Sequence, residues 1–578
     1  MVSFYKTRII IFLLLISFPL LKLSAGGHQA QVASPAGHYH ADGGEPGVYF
    51  SFRCADKDQI AVLSKLISID NVADGIVWAY AGKEAFEVFR ALQIPYTILP
   101  YHEEGQADKI LELSDLGLPL AWDFYPSYPA YETMMAGFET SYPALCRIVT
   151  IGTLSSGRKL LAAHLSSNVD SSMNKPQFFY LSSLHGNELT MYVLMLRLID
   201  TLLANYGTNP RMTAILDNID VWICPLGNPD GTYHVSNNSV NGAVRENANG
   251  VDLNRNFPDP EDGPHPDGNA WQEETVFYMS FADEHHFVMS ANFHGGAEVV
   301  NYPWDTWAIL PADDLWWNFV GRQFADTIHL YGPSSYFNDL DNGVTNGYAW
   351  YSIDGGWQDY MNWWHHCREA TIEVSSTKKP PASQLPTYWN YLRRSLLNYL
   401  EQSTYGIRGI VTDSITGAPL RARVFIQGHD FDSSFIYSSL PVGNYHRLLF
   451  PGSYNLTFTA PGYYPKTLSG LSVVHYQANV QDVQLVPIGT GTMEPDRRSI
   501  TVFPNPAGQY LNFYWPEGTP VEKLSIYNML GEKVLEMTPE PTGNNLQSIA
   551  VSALQAGAYY LEIRTFNNTA ATAKFIRQ

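Results

Sequence analysis

Residues 177–188 read QFFYLSSLHGNE. The aromatic, apolar run 178–181 has the length and composition of a buried strand, and Ser182-Ser183 ends it. Residues 189–206 then carry apolar side chains at helical spacing up to Gly207, which predicts a helix. His185 and Glu188 therefore stand three apart where a strand end passes into a helix, close enough to share one ion. Imidazole and carboxylate are ordinary zinc ligands, and a catalytic zinc takes three protein ligands plus water. A solvated loop pair explains this spacing equally well, so a third ligand and a base must come from elsewhere in the chain.

Outward from this stretch, strands are predicted at 147–152, 159–165, 218–224, 287–293 and 370–374. Helices are predicted at 128–142, 313–330 and 384–402. Strands interleaved with helices from about Trp122 to 404 indicate one α/β domain around a largely buried sheet. Ahead of it, residues 47–100 read as a small α/β unit, with strands at 48–52, 75–80 and 96–99 and helices at 58–67 and 83–92. Its place before the larger domain makes 26–118 a candidate pro-segment that blocks a cleft or assists folding; a plain packing domain fits the same residues. After Tyr405 the helical signal stops, and short strands between Gly, Pro and Asp turns make 405–487 a small β-sandwich. Residues 488–498 (IGTGTMEPDRR) are a linker by composition, and 499–578 are again β-rich.

At 578 residues, 45% hydrophobic and 16% charged, the chain is expected to fold into several domains. Lys6 and Arg8, the apolar run 9–21 and Ser24-Ala25 form a secretory leader over 1–25, and no run is long enough to cross a bilayer. Its removal takes the net charge from −21 to −24, which argues against nucleic acid and anionic membranes and suits cationic substrates. Cys54, Cys146, Cys224 and Cys367 have no metal-type spacing; they pair in any of three ways or stay as thiols.

A third ligand is offered by His294, at the end of strand 287–293 and before two glycines, which repeats the geometry at His185. The stretch 245–257, RENANGVDLNRNF, reads as a structured loop whose Arg245, Asn254 and Arg255 suit an anion, because guanidinium grips carboxylate bidentately. Glu373 lies inside an apolar strand, where an acid is costly unless its neighbours use it, so it is the candidate general base. The pairs His285-His286 and His365-His366 read as structural or surface residues.

With HGNE (185–188), GNPDG (227–231), the 245–257 loop, HGGA (294–297), WYSIDGG (350–356) and IEVSSTKKPP (372–381) together, the chain resembles the zinc metallocarboxypeptidases of the carboxypeptidase D, N and E branch. The resemblance implies a mixed, twisted sheet flanked by helices over 119–404 and one Zn2+ per chain on His185, Glu188 and His294. It implies that Asn254 and Arg255 grip the substrate's terminal carboxylate, Arg245 steadies the carbonyl oxygen, Tyr351 caps the bound end and Glu373 is the base. It also places Asp305 at the acidic position of the specificity pocket, with Gln358 opposite, which favours peptides ending in Lys or Arg. The same chemistry on apolar termini or peptidoglycan peptides, and a non-catalytic peptide-binding surface protein, are the alternatives.

Three features depart from the branch: Trp357 where methionine is usual, expected to narrow the pocket mouth; Trp304 in place of phenylalanine; and the N-terminal unit itself. Residues 405–487 resemble the transthyretin-like module of the branch. Residues 499–578, with Phe503-Pro504-Asn505-Pro506, Ile526-Tyr527-Asn528, Gly531, Gly557-Ala558-Tyr559-Tyr560 and Lys574, resemble the C-terminal sorting domains of type nine secretion. That implies secretion machinery as a partner, loss of the tail on export, and a secreted or cell-surface location. A carbohydrate- or wall-binding β module is the alternative.

Overall fold

The computed structural model describes residues 47–100, 109–116, 120–171, 174–488, 500–514, 521–529, 531–538, 546–565 and 570–578. The expected leader and most of the linker lie outside them. The N-terminal unit is an antiparallel sheet in the order β2-β3-β1-β4 (β1 Val48–Arg53, β2 Ser68–Ala73, β3 Ile76–Ala81, β4 Tyr96–Ile98). Helices α1 (Lys57–Ser64) and α2 (Lys83–Ala91) pack Ile60, Leu63, Phe86 and Phe89 onto Phe50, Phe52 and Val77. Asp56 caps α1 by accepting from the amides of Asp58 and Gln59. The sequence reading missed β2 altogether. A bulge between Ile69 and Asn71 breaks the alternation by which a strand is recognised.

The large domain is built on an eight-stranded sheet: β5 Cys146–Thr153, β6 Lys159–Leu165, β7 Gln177–Ser182, β8 Asp220–Cys224, β9 Phe287–His294, β10 Glu298–Tyr302, β11 Val344–Asn346 and β12 Arg368–Val374. The order is β11-β10-β12-β9-β7-β8-β6-β5. The middle strands β12, β9, β7 and β8 run parallel, and β10 and β6 join them antiparallel at either side. Strand β7 shows why the sheet is buried on both faces. Phe178 and Tyr180 enter one core with α3 (Tyr128–Ser141), α4 (Thr190–Ala204) and two later helices, Asp314–Tyr331 and Leu385–Gln402. Phe179 and Leu181 enter the other core with Tyr278, Phe281, Trp357 and Tyr360. Continuous apolar strands between two helical layers are what a parallel sheet requires.

Behind this domain, Gly406–Asp413, Asn444–Arg447, Ala478–Val480 and Val483–Leu485 form one sheet of a β-sandwich. Arg423–Phe425, Ile436–Tyr437, Gly452–Thr459 and Lys466–Val473 form the other, and Ile407, Val411, Leu456 and Phe458 share the core between them. Arg447, fully buried, ties this module to the large domain: it donates to Asp313 Oδ2 at 2.9 Å and Asp430 Oδ1 at 2.6 Å, and Arg368 joins Asp313 at 2.5 Å. The last module has strands Val502–Phe503, Tyr510–Tyr514 and Leu546–Ala550 in one sheet. Its second sheet holds Val521–Asn528, Lys533–Met537, Gly557–Thr565 and Ala570–Arg577. All four cysteines are buried free thiols.

Candidate active site

Three parallel strands end at one place. β7 runs out at Ser182, β9 ends on His294, and β12 carries Glu373 directly beside His294 in register. Such carboxyl ends are where open α/β sheets gather their ligands. The turn after β7 is fixed by Ser183, which adopts φ +54° and whose hydroxyl donates to Glu188 O at 2.8 Å. Gly186 has to be glycine: a Cβ there would sit 2.5 Å from the backbone of Gly231, and Thr232 Oγ1 donates to Gly186 O at 2.7 Å. The HGNE turn and the GNPDG turn are thus locked together.

His185 Nδ1 lies 3.0 Å from Glu188 Oε1 and 2.9 Å from His294 Nδ1, and His294 Nδ1 lies 2.9 Å from Glu188 Oε2. Among the described residues these three form one of two groups whose ligand atoms fall within 4.8 Å of one another. Asp252 Oδ1 accepts from His185 Nε2 at 3.0 Å, which leaves the lone pair of Nδ1 turned toward the other two ligands. Two imidazole nitrogens and a carboxylate, all buried, fit a zinc ion. Burial pushes the Glu188 carboxyl up, but His185, Lys378 and His294 outweigh it and hold it well below the usual range. Asp252 escaped notice in the sequence because the arginines around it drew the reading; the acid between them was the available signal.

Around this trio stand the other expected residues. Arg245, 2% exposed, donates through Nε to Asp252 Oδ2 at 3.1 Å and lies 3.3 Å from Glu188 Oε1 through NH1. Asn254 Oδ1 accepts from the amide of Trp357 at 2.9 Å, and Arg255 NH1 donates to Asn254 O at 2.8 Å. With Tyr351 and Glu373 they line one cavity of about 20 Å³ that also touches His185, Glu188 and His294. Glu373 Oε2 is buried with no hydrogen-bond partner. Burial first, and then the Glu188 charge, raise the Glu373 carboxyl well above its usual range.

Asp305 and Gln358 do not line this cavity but bond to two residues that do, Asn301 and Thr371. Asp305 is 2% exposed and accepts from Asn301 Nδ2 at 2.9 Å. A Cβ on Gly356 would lie 3.7 Å from Asn254 Oδ1 and 3.8 Å from Asp305 Oδ2, so the two side chains face the same small volume. Burial pushes the Asp305 carboxyl up to about 7, against the pull of Asn301 and Arg255. Gln358 Oε1 accepts from the amide of Thr371 at 2.7 Å and its Nε2 has no partner. The expectation for Trp357 is corrected: its ring is fully buried 5.0 Å from Phe257, in the core beneath the sheet and not at a pocket mouth. His285, His365 and His366 bond to Phe281 O, Tyr360 Oη and Ser433 O, away from the trio.

The N-terminal unit, read from sequence as a candidate pro-segment or a packing domain, reaches this site. Asp70 of β2 lies 3.0 Å from Arg245 NH1 and also meets Lys378 Nζ, and both cations sit over the Tyr80 ring.

Residues 131–395 match the zinc carboxypeptidase family, and residues 501–578 match the secretion system C-terminal sorting domain. The chain is 33% identical over 356 residues to carboxypeptidase D of Mus musculus, an alignment that spans 59% of this chain and 25% of that protein. It is 33% identical over 365 residues to carboxypeptidase M of Mus musculus, spanning 59% of this chain and 80% of that one. Against the carboxypeptidase N catalytic chain of Homo sapiens the identity is 33% over 366 residues, spanning 57% of this chain and 78% of the other. The match thus covers about a quarter of carboxypeptidase D and most of carboxypeptidases M and N. With these motifs set around one His-Glu-His cluster, the chain belongs to the zinc carboxypeptidase family.

Proposed function

We propose that the chain is an exported carboxypeptidase that removes the last residue of peptides ending in Lys or Arg. The observation that carries this is the placement of an anion clamp, Asn254 and Arg255, on the same cavity as the His185–Glu188–His294 cluster and Glu373. A chain end has a free carboxylate for that clamp and an internal bond has none. Asp305, buried beside Asn254, supplies the preference: a basic side chain pairs with it, whereas an apolar one leaves a desolvated acid alone.

Zinc, held by His185, Glu188 and His294, supplies Lewis acidity and lowers the pKa of water. The protein's own groups do the rest. Glu373, buried and free at Oε2, takes a proton from the attacking water and delivers it to the nitrogen of the leaving residue as the C–N bond breaks. Arg245 donates to the carbonyl oxygen as negative charge grows on it. Tyr351 closes over the bound end. The tail's match to sorting domains supports passage through a secretion system and work at the cell surface or in the medium. The test is a set of peptides differing only in the last residue, with products read by mass spectrometry. Loss of Lys or Arg, abolished by Glu373→Gln, is the expected result; loss of Phe or Leu instead contradicts the role of Asp305.

A further inference from the structure

Two buried acids that do not line the cavity hold the segment carrying Asp305. Asp359, 1% exposed and in the first turn of helix Trp357–Trp364, accepts from the amides of Asp305 at 3.0 Å and Thr306 at 2.9 Å. Asp259, also 1% exposed, accepts four donors, which suits an acceptor-only carboxylate. Its Oδ1 takes the Thr306 hydroxyl at 3.1 Å and the amides of Glu261 and Asp262 at 2.8 and 3.0 Å. Its Oδ2 takes the amide of Gly355 at 3.0 Å. Gly355 in turn lies against the clamp. Its carbonyl accepts from the amide of Phe257 at 3.0 Å, its φ is +73°, and a Cβ there would lie 2.3 Å from Arg255 O. One carboxylate therefore joins three segments: the one with Asp305, the turn after Tyr351, and the loop with Asn254 and Arg255.

We propose that Asp259 is a positioning residue for the choice of terminal side chain, and that the Thr306 hydroxyl is the contact through which it acts on Asp305. The inference rests on the peptide site proposed above. The last residue of a peptide carries its carboxylate and its side chain on one α-carbon. The clamp and the selecting acid must then be held at a fixed separation, and an error of about 1 Å is enough to cost rate. Asp259 sets that separation, because it grips the Asp305 segment through one oxygen and the turn against the clamp through the other. Ile353, whose amide donates to Asp305 O at 3.2 Å, braces the same turn from the opposite end. Charge adds to geometry. After burial, and against Asn301 and Arg255, the Asp259 charge helps to raise the Asp305 carboxyl, so a cation arriving at Asp305 relieves both acids.

The test uses the zinc-loaded full chain and two tripeptides that differ only in ending in arginine or leucine. Binding is measured by calorimetry in a Glu373→Gln background, and kcat and KM with Glu373 intact. Thr306→Val, which removes the hydroxyl at nearly constant volume, is expected to lower the arginine-to-leucine ratio of affinity and of kcat/KM by ~10-fold, through KM. Thr306→Ser, which keeps the hydroxyl, is expected to hold the ratio within ~2-fold of the parent. Asp259→Asn is expected to weaken both peptides as well as the ratio, and Thr306→Val added to it to change the ratio no further, since both remove one contact. Should Asp259→Asn fold poorly, the two Thr306 variants decide alone. A ratio that Thr306→Val leaves unchanged, or that Thr306→Ser lowers as much, overturns the proposal while arginine release by the parent stands. A ratio of affinities that moves as expected without hydrolysis keeps the positioning role and sinks the carboxypeptidase reading. A parent that favours leucine, or binds neither peptide, sinks both.

Discussion

Glu373 and Asp305 are both buried acids, and each is asked for something different. In the proposed mechanism Glu373 holds a proton briefly, so Glu373→Gln is expected to lower kcat by about 10²–10⁴-fold while zinc content stays at one per chain. The proposed pairing needs Asp305 charged when a basic side chain arrives, yet burial pushes its carboxyl up to about 7. Its ionised form is therefore lost as pH falls through that value. Below it, kcat/KM for an arginine-ended peptide is expected to fall by up to ~10-fold per pH unit relative to a leucine-ended one. Asp305→Asn should flatten that ratio; a ratio that ignores pH in the parent chain contradicts the pairing. Asp252 acts through His185, whose Nε2 it holds at 3.0 Å. Asp252→Ala is expected to weaken zinc by about 10–100-fold in chelator competition. His185, Glu188, His294, Arg245, Asn254, Arg255, Tyr351 and Glu373, which the fold gathers on one cavity, could be singled out in the sequence because each motif sits at a strand end or in a glycine-rich turn. The contacts of Asp70 and Lys378 could not, because they join segments about 300 residues apart in the chain.

At the level of elements, strand β7 and helix α4 were readable from periodicity alone, with both faces of β7 apolar and α4 carrying Val193, Leu196 and Leu203 inward. Strand β10 and its outer neighbour β11 were not, since they are short, reading only EVVNY and VTN, and their Asn301 and Asn346 break the apolar pattern. The turn after β7 is the element most sensitive to one atom. Gly186→Ala places a Cβ against Gly231 and moves His185 and Glu188 together. The expected outcome is a loss of bound zinc with the far-UV spectrum kept, read by metal analysis on the folded fraction.

Across the whole molecule, the catalytic domain is clamped between two neighbours by buried ions. On one side Asp313 binds Arg368 and Arg447, and the latter reaches Asp430. Arg447→Ala leaves Asp313 and Asp430 short of a cation in the interior and is expected to cost about 3–5 kcal/mol, seen as a lower unfolding midpoint. An unchanged midpoint shows the β-sandwich to be a passenger. On the other side Asp70 meets Arg245 and Lys378, so the N-terminal unit caps the cleft while the sandwich braces the back.

The most direct measurement compares one arginine-ended peptide as free acid and as C-terminal amide, with the zinc-loaded chain. The clamp of Asn254 and Arg255 predicts release of arginine from the acid and none from the amide. Cleavage of both at similar rates, or cuts at internal bonds, contradicts it.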